Sequence, residues 1–460
     1  MSQDQRDVAV ARASRTAYES PNAARESVRD LARMLGWGAA NDASAFSALI
    51  PDGAKVVVKP NWVLHANRGS WGIDPLITHP YLIRAVVDEL LATRAGEVTL
   101  GDAPIQECDF DALVRHGDLG EWGAATRARD ARFRGPLDYR RTKSAEVDGI
   151  RVASEGLVSL DRFVLFDLGS ESLLEPISDG KRFRVTVYPP EQMARTHAPG
   201  RHQYLVARDV MEADVVVNMP KLKTHKKAGV TCALKNLIGI NGNKEYLPHH
   251  RLGGSEAGGD CYPGADKVKE ALEFVFDRAN STQSHTARRA WYLGKRALER
   301  VLHDRGDQLG VEGAWSGNDT IWRTCLDLNR ILLYGRADGT MATTPQRRVV
   351  QVVDAIVAGQ GDGPLRPEPL ELGLLLAGGN AASVDHVSAR LLGYDPTRIP
   401  IAHHAFTRFR WPLTDFDASD VRVVGALGSG SADTLVRATG AVQHYPAGWR
   451  DAVATESVAR

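Results

Sequence analysis

Residues 54–61 read Ala-Lys-Val-Val-Val-Lys-Pro-Asn, residues 78–91 read Thr-His-Pro-Tyr-Leu-Ile-Arg-Ala-Val-Val-Asp-Glu-Leu-Leu, and residues 97–102 read Glu-Val-Thr-Leu-Gly-Asp. The first run follows the turn signal Pro51-Asp52-Gly53 and predicts a strand over Ala54–Val58. Pro80 suits a first helical position, and Thr78 or His79 can cap it. Leu82, Val86 and Leu90, with Ile83, Val87 and Leu91, form the i, i+4 rows of a buried helical face. Glu97–Leu100 predicts the next strand. Strand, helix, strand in this order is the right-handed crossover unit of a mostly parallel sheet.

Working outward, residues 1–50 read as an N-terminal extension, a mobile start with a short helical region near Ala23–Leu35. Residues 115–150 are rich in Arg and Asp and read as an insertion. Asp214–Asn218 predicts a short apolar strand, and 250–264 a glycine-rich loop. Helices are expected at Asp266–Arg278, His285–His303 and Asp319–Tyr334, and strands at Arg348–Val357 and Leu372–Leu376. A last helix is expected at Val384–Leu392, where capping is the plain role for Asp385. The class is α/β: mostly parallel sheet with crossover helices, two lobes with a cleft, and a helical insertion. The expected division is 51–260 for the first lobe, 261–340 for the helical insertion, 341–430 for the second lobe and 431–460 for a C-terminal tail.

The 460 residues carry 57 basic and 57 acidic side chains, so the formal net charge is zero. A neutral chain makes a nucleic-acid partner an unfavoured expectation. No apolar run is long enough to span a membrane, and the polar N-terminus lacks the apolar core of a secretory signal. The expected location is cytoplasmic. The four cysteines show no C-x-x-C spacing, so the four-iron ferredoxin motif is absent, and each is expected to be a small buried apolar group.

The zero net charge is a sum over unlike parts. The chain has 13 lysines against 44 arginines, yet six lysines and no arginine fall between Lys221 and Lys244. That segment starts where a predicted strand ends, the place where open α/β sheets bind ligands. Lys221 and Lys223 there, with Lys59 and Asn61 at the end of the first strand, Asn236, Asp102 and Asp354, are the candidate substrate-binding residues, and the lysines and amides among them can clamp an anion by charge-assisted hydrogen bonds. Lys235 has apolar neighbours, and a desolvated amine is a usable base or nucleophile. His225, His249 and His250 are the remaining catalytic candidates, and the last two are also candidate metal ligands. Gly359–Pro364 matches neither a Walker nor a Rossmann fingerprint.

Taken together, Val56–Asn61, Gly101-Asp102, Ala213–His225, Ala233–Gly239, Val353-Asp354 with Gly361–Pro364, and Ser383–Asp385 resemble the bacterial and archaeal domain-of-unknown-function family 362. The resemblance covers about residues 54–405 and implies the fold more than an activity. Many members of that family carry an iron–sulfur module, which this chain does not share. The spacing of His225, Lys235 and His249 or His250 is more distantly similar to the nickel-pincer lactate racemases. That likeness implies a cofactor or metal site at Lys235 and His249/His250, with His225 as an acid–base group.

The functional expectation is an enzyme acting on a small anionic substrate, such as a hydroxy acid, sugar acid or sugar phosphate. Racemisation, epimerisation or elimination would proceed by acid–base chemistry in a cleft between the lobes lined by Lys and His. The cofactor is left unknown, with a divalent metal as an open option. The alternative is a metal-binding or redox protein of the same family without turnover of its own.

Overall fold

The run Val56-Val57-Val58 is buried along its whole length, as a strand must be when both faces of its sheet are covered. The computed structural model describes residues 5–39, 42–147, 150–154, 158–179, 181–186, 188–435 and 442–454. One sheet of eleven strands dominates it. The strands are β1 (Asp7–Arg12), β2 (Lys55–Pro60), β3 (Glu97–Asp102), β4 (Phe133–Asp138), β5 (Val215–Met219), β6 (Lys221–His225), β7 (Gly229–Thr231), β8 (Arg348–Asp362), β9 (Arg366–Gly378), β10 (Arg422–Gly425) and β11 (Gly430–Ser431). Their order is β11-β10-β1-β9-β8-β5-β2-β3-β4, with β6 joined to the far half of β8 and to β7.

The strands β8, β5, β2, β3 and β4 run parallel, so the carboxyl ends of β5, β2 and β3 share one rim. Asn218 lies opposite Lys59 across β5 and β2. Strand β9 is antiparallel to both β8 and β1. Successive side chains alternate faces: Val57 joins one hydrophobic core, Val56 and Val58 the other. The second core takes the predicted rows of α2 (Pro80–Leu91), whose first turn is capped by the His79 ring accepting from the Tyr81 amide. Helix α1 (Pro21–Met34) packs beside it and begins at Ser20, whose hydroxyl accepts from the Ala23 amide. The later helices are α3 (Ala233–Asn236), α4 (Lys267–Ser281), α5 (His285–Asp304), α6 (Ile321–Tyr334) and α7 (Ala381–Leu391). No described helix is long and apolar enough to cross a membrane.

The structure departs from the sequence reading in several places. The expected mobile start contains β1, which sits inside the sheet between β9 and β10. Its residues are short and mostly small, and its partners come from the far end of the chain, so nothing local marks it. The expected insertion after residue 115 supplies edge strand β4. Gly359–Asp362 prolongs β8 beyond the expected end at Val357 and pairs with β9. The two α/β segments do not form two lobes divided by a cleft: β8 is hydrogen-bonded directly to β5, so residues 51–260 and 341–430 build one continuous sheet. Asp385 caps a helix other than its own. Asn380 caps α7, while the Asp385 carboxylate accepts from the Ala233 and Leu234 amides at 2.7 and 3.3 Å, at the start of α3. Burial pushes this carboxyl up to about 7. All four cysteines are buried and free, as expected.

Lys221 and Asp354, both expected at the binding site, instead tie β6 to β8 inside the protein. Lys221 Nζ lies 2.6 Å from Asp354 Oδ2 and donates to the Tyr18 hydroxyl at 2.9 Å and the Val357 carbonyl at 3.2 Å. The Tyr18 hydroxyl donates in turn to Asp354 Oδ1, and the His79 amide donates to Oδ2 at 2.9 Å. Side-chain exposure is 0% for Lys221 and 1% for Asp354. Removing one partner of such a pair strands the other charge in the interior. Asp354→Ala is therefore expected to cost about 3–5 kcal/mol of unfolding free energy, measured by urea titration. A loss within a few tenths of a kcal/mol would show that the pair is not structural.

Candidate functional site

The rim of the parallel strands carries a connected set of amides. Asn218 donates to Gln351 Oε1 at 2.7 Å and to the Ala233 carbonyl at 3.0 Å. Its own Oδ1 accepts from Asn236 Nδ2 at 2.7 Å. Asn236 Oδ1 accepts from both Lys59 Nζ and Asn61 Nδ2, each at 2.9 Å. Asn61 Oδ1 accepts from Lys223 Nζ at 2.9 Å. Lys59 is also paired with Asp102 at 2.9 Å and donates to the Pro60 carbonyl at 2.9 Å. Asp102 is held by the Trp62 and Ala103 amides. Gly239 lies against this pair because a Cβ there would stand 2.0 Å from Asp102 Oδ1 and 2.7 Å from Lys59 Nζ. The three strand ends and α3 are thereby locked to one another.

Above this floor lies a cavity of about 870 Å³. Lys59, Asn61, Asp102, Lys223, His225, Lys235, Asn236 and His249 line it, so eight of the expected site residues converge. The opposite wall comes from the helical segment, with Phe276 of α4 and Tyr292, Lys295 and Glu299 of α5. The cleft thus lies between the sheet rim and the helices, and not between two lobes. Lys221, Asp354 and His250 do not reach it. His250 lines a separate small hollow with Arg184, Cys261 and Glu273. Lys244 is a wall residue that the expected set omits, although it closes the same lysine-rich segment. The helical wall had no signal in the sequence, since helical periodicity says nothing of what a face will meet.

An ammonium group has three protons to donate. Lys59 spends all three, on Asp102, Asn236 and the Pro60 carbonyl. Lys223 spends two, on Asn61 and the Leu76 carbonyl, and meets no carboxylate. Lys244 has a single 3.4 Å bond, to the Ala103 carbonyl. Lys235 makes no hydrogen bond and no ion pair among the described residues. Burial holds all four amines below their ordinary value, and mutual repulsion adds to this. The effect is strong at Lys223 and brings Lys244 down to about 7.

The two cavity histidines are fixed in opposite tautomers. His225 Nδ1 accepts from the Lys227 and Ala228 amides at 3.0 and 3.2 Å, so the neutral ring carries its proton on Nε2. His249 Nδ1 stands 2.6 Å from the Leu247 carbonyl, which only accepts, so its Nε2 carries a lone pair. Burial, with lysines around them, keeps both rings well below the usual histidine range and hence neutral. One ring is therefore a donor and the other an acceptor. A ring with Nδ1–H bonded to a carbonyl also suits metal ligation through Nε2. His250, its expected co-ligand, lies outside the cavity, and no group of three or more His, Cys, Asp or Glu that could hold a metal occurs among the described residues.

Residues 172–390 match the family model described as domain of unknown function DUF362. The matched stretch takes in the motifs from Ala213 to Asp385 and holds His225, Lys235, His249 and α3, while Val56–Asn61 and Gly101-Asp102 precede it. A thylakoid-associated protein of Synechocystis is 25% identical over 195 residues, 42% of this chain and 37% of the relative. The chain thus spans a little over a third of that curated relative. A crystal structure of a Thermotoga maritima protein aligns with a TM-score of 0.30 and 11% identity, covering 76% of this chain and 54% of that one.

The buried lysines have a consequence for stability. The folded cavity tolerates Lys244 as a neutral amine above about 7, whereas an unfolded lysine stays protonated up to about 10.5. Between these values the unfolded chain binds more protons, so this group makes stability rise with pH. Lys244→Met is expected to flatten that rise between pH 7 and 10, judged by the difference in urea midpoints between variant and parent. Parallel curves for the two proteins would show that Lys244 titrates normally.

Proposed function

We propose that this protein is an enzyme acting on a small anionic substrate, a hydroxy acid, sugar acid or sugar phosphate, by acid–base chemistry in the Lys/His cavity. The observation that carries the reading is the pair of neutral imidazoles with opposite tautomers beside amines that lack carboxylate partners. A proton abstraction next to a carboxylate or carbonyl needs a base, a donor for the oxygen that gains charge, and cations for the anion. His249 Nε2 supplies the lone pair. His225 Nε2–H donates to the developing oxyanion as a neutral imidazole. Lys223 and Lys244 hold the substrate anion with their unspent donors, and Lys235 stands in the same cavity with all of its donors unspent. Asn61, Asn236 and Lys59 position these groups and have few donors left for substrate. Racemisation, epimerisation and elimination all share this first step.

That shared step allows a test before the product is known. In deuterium oxide the protein is expected to exchange a carbon-bound hydrogen of one compound in a panel of 2-hydroxy acids, sugar acids and sugar phosphates, followed by mass spectrometry. His249→Gln is expected to slow the exchange by about 10²–10⁴-fold. Lys235→Ala or His249→Gln protein that folds and exchanges at the parental rate would overturn the reading.

A further inference from the structure

Lys235 is set apart by what it lacks. The other rim amines are wholly or partly spent on amide and carbonyl oxygens, while Lys235 has no hydrogen bond and no ion pair among the described residues. It stands on α3, whose start is fixed by the Asp385 carboxylate and whose last residue, Asn236, is tied to two strands. The backbone that carries the amine is therefore rigid while the amine itself is free to reach into the cavity. Its charge helps to hold the Lys59, Lys223 and Lys244 amines and the His225 and His249 rings below their ordinary values, and Lys227 acts on Lys235 in the same sense. Burial, with Lys227 nearby, holds the amine below its ordinary value and no carboxylate keeps it protonated, so it is more readily present as the nucleophilic neutral amine than an exposed lysine.

We propose that Lys235 is a covalent nucleophile that forms an imine with the carbonyl of a 2-oxo acid, whose carboxylate is held by Lys223 and Lys244. This rests on the cavity being a site for small anionic substrates and goes beyond that reading by naming the reacting group and a carbonyl-bearing substrate. The neutral amine attacks the carbonyl carbon, making a C–N bond while the C=O π pair moves onto oxygen. His225 Nε2–H steadies that oxygen by a hydrogen bond. His249 Nε2 takes one proton from nitrogen and passes it to oxygen, giving the carbinolamine. The same transfer of the second nitrogen proton expels the oxygen as water and leaves C=N. No oxidant or reductant is consumed. When the neutral imine so formed takes up a proton from solvent it becomes an electron sink, and a neighbouring C–H or C–C bond becomes labile to the same histidine.

The probe is pyruvate with sodium cyanoborohydride at neutral pH, applied to the full chain, followed by proteolysis and mass spectrometry. Hydride reduction of an imine leaves a stable secondary amine on the lysine that formed it. Lys235 is expected to be modified at least about tenfold faster than exposed Lys267, whose amine is kept charged beside Glu270, since each pKa unit changes the neutral fraction tenfold. Lys235→Arg keeps the charge and is expected to lose the cavity label while exposed lysines react as before. Modification of Lys235 no faster than of Lys267, or a label on Lys223 or Lys244 instead, overturns the proposal. Mapping on the parental protein decides this even where the variant does not fold. An unlabelled Lys235 together with His249-dependent deuterium exchange removes the imine and keeps the acid–base reading. A labelled Lys235 without exchange does the reverse.

Discussion

The side-chain amide of Asn236 is the contact on which the rest of the site depends. Its oxygen accepts from Lys59 and Asn61 at the end of β2, and its nitrogen donates to Asn218 at the end of β5. A buried amide with every bond made is stabilising, whereas a half-satisfied one is costly, so the arrangement holds only as a set. Lys59 cannot turn toward a ligand without abandoning Asp102 and Asn236, and Asn61 cannot turn without releasing Lys223. The floor is thus a fixed polar plate. What remains adjustable above it are the unspent donors of Lys223, Lys235 and Lys244.

This division separates two kinds of lysine within one sequence segment. Lys221 and Lys223 are two residues apart on β6 and point to the same side of the strand by simple alternation. Yet the bulged pairing of β6 with β8 places Lys221 beside Asp354 and Lys223 beside Gly359. One amine gains a carboxylate and a phenol and becomes part of the interior; the other gains only neutral oxygens and faces the cavity. Gly359 matters here because a Cβ would stand 2.7 Å from that of Lys223. A carboxylate partner, and not burial alone, distinguishes the structural lysine from the one left facing the cavity.

Much of the fold could be read along the chain. The crossover 54–102, the three helices between 266 and 334 and the long strands after 348 all have local periodicity that survives in the structure. Eight of the expected site residues meet in one cavity, because strand ends of a parallel sheet necessarily share a rim. The failures have a common cause. β1, the role of Tyr18 and the cap supplied by Asp385 all depend on partners more than a hundred residues away, and the wall supplied by α5 on residues more than forty away. Residues 7–12 have no feature of their own that would distinguish an inner strand from a tail.

The sequence by itself determined the α/β class, the rim on which the site lies and the concentration of lysines there, because these follow from local periodicity and from composition. Only the tertiary structure decided which lysine would be spent and which left free, which imidazole nitrogen would carry a proton, and which histidine of the His249-His250 pair would face the cavity. The lysines depend on partners brought in from elsewhere in the chain, Asp354 for Lys221 and Asn61 for Lys223, while the histidines depend on backbone groups two or three residues away, the Leu247 carbonyl for His249 and the Lys227 and Ala228 amides for His225, in turns whose conformation has no periodicity to announce it. A charge or a tautomer is a property of a side chain together with its neighbours, and the neighbours are fixed only when the chain is folded.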